Sequence, residues 1–115
     1  MTLEGKKMTE PLNPVYEIQA EIFKAIGHPI RLQIVKFLQD GERTVTEIVK
    51  AVNAEQSNVS RHLSLLRQAG VLSSRKEGLK VYYSLRIPNL TQILTCVNEV
   101  VRSRLKSNEE VLAKM

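Results

Sequence analysis

Apolar side chains recur at helical spacing in five stretches of this chain, and between the fourth and fifth the pattern changes to that of strands. From Val15 to Ile26, the residues Ile18, Ile22, Phe23 and Ile26 share one side, and Gly27 follows as a helix terminator. Pro29 fits a first helical turn, where a missing N–H costs nothing. Ile30, Ile34, Phe37 and Leu38 then form a second stripe that Asp40-Gly41 closes. Thr44-Val45-Thr46-Glu47 reads as a capping box, with Thr44 at the helix start and the Glu47 carboxylate reaching back to the Thr44 N–H. The third helix carries Val45, Ile48, Val49 and Val52 on one side. After the polar break Asn53-Ala54-Glu55, a fourth helix is expected from about Gln56 to Ala69, with Val59, Leu63 and Leu66 inward and Gly70 beyond its end.

The third and fourth helices are short, lie about three or four residues apart, and the second of them has a polar and basic outer face: Gln56, Ser57, Ser60, Arg61, Ser64, Arg67 and Gln68. This is the arrangement of a helix-turn-helix. From Val71 to Arg86, β-rich residues flank Glu77-Gly78, which predicts a hairpin with Arg75, Lys76 and Lys80 at its tip, the form of a wing. Pro88 opens a last helix whose apolar face, Leu90, Ile93, Leu94, Val97, Val100, Val101 and Leu105, is broader than so small a chain can cover. The expected organisation is a leader over residues 1–14, one α+β domain over 15–106, mainly helical with a β-hairpin wing, and a polar tail over 107–115.

Charge sharpens the picture because it is unevenly spread. The net charge of +5 comes almost entirely from residues 28–87, which hold ten basic and five acidic side chains. Such a surplus suits a polyanion, and equally a merely solvated surface. Cys96, as the lone cysteine, forms no intrachain disulfide, no leader of the secretory type is evident, and no apolar run approaches the ~18 residues of a membrane span. A cytoplasmic protein without membrane partners is expected. There is no nucleophile-base pair, phosphate-cradling glycine loop or catalytic carboxylate pair, so an enzyme is not expected, nor is a cofactor.

Three stretches together resemble the ArsR/SmtB family of winged-helix repressors: Ile26-Gly27-His28-Pro29-Ile30-Arg31-Leu32, then Ser57-Asn58-Val59-Ser60-Arg61-His62-Leu63 with Leu66 and Ala69-Gly70-Val71-Leu72, then Glu77-Gly78 with Val81-Tyr82-Tyr83-Ser84-Leu85. The resemblance implies a homodimer built from the first and last helices that binds an imperfect inverted repeat in promoter DNA and blocks transcription until an inducer loosens it. It also implies a backbone-facing role for His62, against which stands an equally good reading as a buried structural histidine. The family's Cys-x-Cys metal pair aligns with Thr44-Val45-Thr46, and its last-helix ligands with a segment whose only acid is Glu99, so no metal is expected by those routes.

Within this frame Gln56, Asn58, Ser60 and Arg61 are assigned to base edges, with Ser57 beside them. Arg61 has the bidentate fork that suits guanine, and the amides of Gln56 and Asn58 have the donor-acceptor pair that suits adenine. For each, a contact to phosphate alone is an open alternative. Arg75, Lys76 and Lys80 are assigned to the flanking backbone or minor groove, giving salt-sensitive affinity. Glu55 stands where Ser or Thr would usually cap the reading helix. His28 is read as a cap or packing residue. Cys96, between Ile93, Leu94 and Val97, reads first as a small core thiol and second as a thiol or persulfide sensor. A shape-only architectural nucleic-acid binder is the competing class, and the mixed Gln, Asn, Ser and Arg face argues against it. The inducer is not legible.

Overall fold

A computed structural model describes residues 13–106 and 108–115; the expected leader, apart from its last two residues, lies outside the described residues. The Asn13 side chain accepts from the Val15 N–H at 2.9 Å and launches α1 (Pro14–Ile26). Gly27 ends it at a φ of −81°, and its lack of a side chain matters for room, since a Cβ there would lie 3.1 Å from the Phe23 carbonyl oxygen. His28 caps α2 (Pro29–Phe37) through its Nδ1, which accepts from the Ile30 N–H at 3.1 Å. The last part of the expected second helix tightens into a 3-10 turn, Leu38–Asp40. Gly41 then reverses the chain at a φ of 136°, where a side chain would be strained.

The capping box forms as its spacing predicts. The Thr44 hydroxyl accepts from the Glu47 N–H at 3.2 Å, and Glu47 Oε1 accepts from the Thr44 N–H at 3.0 Å, starting α3 (Val45–Val52). These hydrogen bonds hold the Glu47 carboxyl below its ordinary range. Asn53 turns the chain in the left-handed region and α4 (Gln56–Gln68) follows. The wing is β2 (Leu72–Glu77) and β3 (Lys80–Leu85), joined through Gly78-Leu79; Gly78, at a φ of 61°, fills the first central position, where a type II′ turn requires glycine.

One strand was not expected. β1 (Arg43–Thr44), immediately before α3, pairs antiparallel with β3, so the hairpin is part of a three-stranded sheet in the order β1-β3-β2. Its register sets Arg43 opposite Tyr83 and Thr44 opposite Tyr82, while Arg75 faces Tyr82 from the other side. After a 3-10 turn at Pro88–Leu90 come α5 (Thr91–Leu105) and a short α6 (Glu109–Ala113) in the polar tail.

Ile34, Val35, Leu38, Ile48, Val59, Leu63, Leu66, Val71 and Leu72 form the centre of the core, drawn from α2, α3, α4 and the root of the wing. The outer helices contribute little. α1 buries only Ala25 and Ile26 at its end, and α5 buries no residue at all. Tyr16, Ile18, Phe23, Val97 and Val100 are all roughly half exposed or more. The placement of Cys96 as a small core thiol is corrected: Ile93 and Leu94 pack against the core, whereas Cys96, two residues beyond Leu94 and so turned well away from it around the helix, is exposed. Among the described residues, no helix is long and apolar enough to cross a membrane.

Candidate nucleic-acid interface

α4 starts with an open end. Glu55 in the cap position makes no side-chain hydrogen bond to the helix, so the free N–H groups of the first turn and their partial positive charge are left uncovered. Gln56, Ser57, Ser60 and Arg61 are exposed on the first turns and Asn58 is half-buried between them. Arg61 Nη2 donates to Asn58 Oδ1 at 2.9 Å, a pairing one turn apart that holds the guanidinium against this face.

Between the start of α4, the start of α3 and the tip of the wing lies a cleft of about 700 Å³. Gln56, Ser60 and Lys80, all expected site residues, line it together with Thr44, Thr46, Tyr82 and Tyr83. Thr46, Tyr82 and Tyr83 are not among the residues that the sequence assigns to the site. The signal for all three is β1, because the pairing of Thr44 with Tyr82 brings the wing beside the α3 entrance. Glu47, also in the cleft, is occupied by Thr44 and lies 3.8 Å from an Arg43 guanidinium nitrogen.

Two expected contact residues are placed otherwise. Arg75 is not a free cation at the wing tip. Its Nε donates to Glu42 Oε2 at 2.9 Å and its Nη2 to Glu42 Oε1, while Nη1 donates to Glu77 Oε2 at 2.8 Å, and the guanidinium lies 4.3 Å over the Tyr82 ring. The pairing raises the Arg75 pKa and holds the Glu42 carboxyl below its ordinary range. Lys76 and Lys80 are exposed and make no ion pair among the described residues, so they are the free cations of the wing.

His62 is the second. It is 8% exposed and faces the core side of α4, with its ring centroid 4.5 Å from that of His28. The backbone-facing role suggested by family likeness does not fit this orientation. Its Nδ1 finds no partner among the described residues, and burial first, then repulsion from His28, Arg31 and Arg61, pushes its pKa below 6.5. Arg31 anchors the neighbourhood by donating to the Ala25 carbonyl at 2.9 Å.

A pH dependence follows. Because the folded state disfavours protonated His62, stability is complete above the unfolded value of 6.5 and falls as pH drops below it towards the lower folded value. Glu42 and Glu47, being depressed carboxyls, lose their contributions only below 4.5. Urea midpoints compared at about pH 8 and about pH 5 should therefore drop more for the wild type than for His62→Gln. Equal drops would show that His62 does not titrate across folding.

Comparison with known proteins places this geometry. Residues 28–74 match the family described as bacterial regulatory protein, arsR family. The HTH-type transcriptional regulator Rv0081 of Mycobacterium tuberculosis is 35% identical over 100 residues, covering 86% of this chain and 88% of that protein. Its crystal structure superposes with a TM-score of 0.68 at 34% identity, over 85% of this chain and 98% of that one. The transcriptional repressor SdpR of Bacillus subtilis is 36% identical over 77 residues, 67% of this chain and 82% of its own. A solution structure from Mycobacterium bovis, the homodimeric winged helix-turn-helix DNA-binding domain of Mb0332, gives a TM-score of 0.69 at 27% identity, over 83% and 88% of the two chains. With the fold, the reading-helix face and relatives of this coverage in agreement, the chain belongs to the arsR family of bacterial regulatory proteins and is a winged helix-turn-helix transcriptional regulator.

Proposed function

We propose that the chain is a homodimeric repressor that recognises an inverted-repeat operator, with α4 of each subunit in a major groove and each wing along the flanking backbone. The observation that carries this reading is the coexistence of one polar face, Gln56, Ser57, Asn58, Ser60 and Arg61 at an uncapped helix start, with uncovered apolar faces on α1 and α5. The first suits base edges and phosphate. The second suits a two-fold seam, which would set the reading helices about one helical turn, ~34 Å, apart. SdpR is a transcriptional repressor and the Mb0332 domain is a homodimer, which supports both halves of the proposal.

The roles divide by chemistry. Arg61, with Asn58 beside it, reads a base pair, and Gln56 and Ser60 face base edges from the cleft wall. Ser57, Lys76 and Lys80 hold the backbone. Band-shift titrations on a site selected from a random pool and on scrambled DNA test the assignment. Arg61→Ala should cost ~1–3 kcal/mol on the selected site and relax preference at one position. Lys76→Gln should weaken all sequences alike and lower the salt slope by about 0.9. Equal wild-type affinity for the two DNAs would overturn the operator reading.

A further inference from the structure

The pairing of Arg75 is out of keeping with a simple phosphate contact. One guanidinium faces two carboxylates, so the Glu42, Arg75 and Glu77 group carries a net negative charge at neutral pH, on a wing that must approach a polyanion. What the arrangement offers instead is reach. Arg75 stands on β2, its head lies over Tyr82 on the central strand β3, and its fork grips Glu42, the residue that leads into β1. The side chain thus spans all three strands of the sheet. β1 pairs with β3 at only two positions before the chain enters α3 through Thr44. Glu42 therefore lies where the wing meets the first helix of the helix-turn-helix.

Exposed ion pairs contribute little as a rule, because two long side chains must be ordered for a screened attraction. Here the ordering is shared. Glu42 is held side-on by two donors, the third hydrogen bond goes to Glu77 on the same strand, and the ring of Tyr82 supports the planar head from below. Alternation along the strands puts Glu77, Arg75, Tyr82, Thr44 and Glu42 on one face, so the group forms without bending the sheet.

We infer that Arg75 is a positioning residue, clasped by Glu42 and Glu77, that fixes the wing against the α3 entrance and does not itself neutralise a phosphate. This rests on the operator reading only for its effect on binding. The clasp keeps Lys80 at the rim of the cleft opposite Gln56 and Ser60, while Lys76 and Lys80 supply the charge that DNA meets.

The test uses the full chain with Glu42→Gln, Arg75→Gln, the double variant, and Lys80→Gln for comparison. In operator titrations across salt concentration, each of the first two should weaken binding about fivefold with an unchanged slope of log affinity against log salt, and the double should be no weaker than Arg75→Gln alone. Lys80→Gln should lower the slope by about 0.9. If Glu42→Gln tightens binding, or Arg75→Gln lowers the slope as Lys80→Gln does, Arg75 is a phosphate contact and the inference is overturned. Amide hydrogen exchange in the free protein decides the clasp independently of any operator. Faster exchange across β1 and β3 in both single variants supports it, and unchanged exchange removes it, even if no DNA preference is found.

Discussion

The double substitution Val97→Asp with Val100→Asp should convert the protein to a folded monomer and lower operator affinity at least ~100-fold, the scale on which joining two binding modules raises affinity. In the single chain Val97 is 48% and Val100 58% exposed, and α5 buries none of its residues, so two aspartates there meet water and disturb little. In a two-fold seam the same positions would face a second α5 or the α1 face carrying Tyr16, Ile18 and Phe23, and four carboxylates would be desolvated without partners. A stable interface of ordinary size removes ~1,600 Å² from water. Light scattering behind size exclusion reads the mass, far-ultraviolet dichroism the retained helix, and a band shift the affinity. A variant that stays dimeric would place the seam elsewhere. One that becomes monomeric yet binds a full operator as tightly as the wild type would dissociate recognition from the dimer.

Much of the reading half of the molecule was visible in the sequence because its determinants are local. The capping box needs only Thr44 and Glu47 three residues apart, and the buried side of α4 needs only Val59, Leu63 and Leu66 in period. That same period decides between the two readings of His62: Val59, His62, Leu63 and Leu66 are spaced as one helical stripe, and His62 is accordingly inside. What sequence could not show depends on partners distant along the chain. β1 is two residues long, too short for a period, and exists because β3 offers it an edge. Arg75 looked like a free wing cation because the carboxylate that claims it, Glu42, lies 33 residues earlier. Nearness in sequence groups Cys96 with Ile93, Leu94 and Val97, but Leu94 and Cys96, two residues apart, lie on nearly opposite sides of a helix, and period tells only which residues share a face. It does not tell whether that face meets the chain's own core or solvent.

Leu63→Ala should destabilise the protein by ~2–5 kcal/mol, a large part of the ~5–15 kcal/mol that holds a domain of this kind together. Leu63 is 0% exposed and belongs to the same buried cluster as Ile34, Ile48, Val59 and Leu66, so truncation removes buried methyl groups and leaves a cavity where α4 seats on α2 and α3. Leu65, two residues on, is 41% exposed, and Leu65→Ala should cost less than ~1 kcal/mol although helix, residue type and substitution are the same. Urea unfolding at a single protomer concentration measures both, since dimerisation makes apparent stability depend on concentration. The comparison bears on function as well as packing. Gln56, Ser60 and Arg61 are carried on the outer face of the helix that Leu63 anchors, so loosening its inner face should weaken operator binding with no contact residue changed, whereas Leu65→Ala should leave binding as it is. Equal losses of stability in the two variants would mean that α4 is not seated through the Val59, Leu63 and Leu66 face, and the orientation of the reading helix derived from that seating would fall with it.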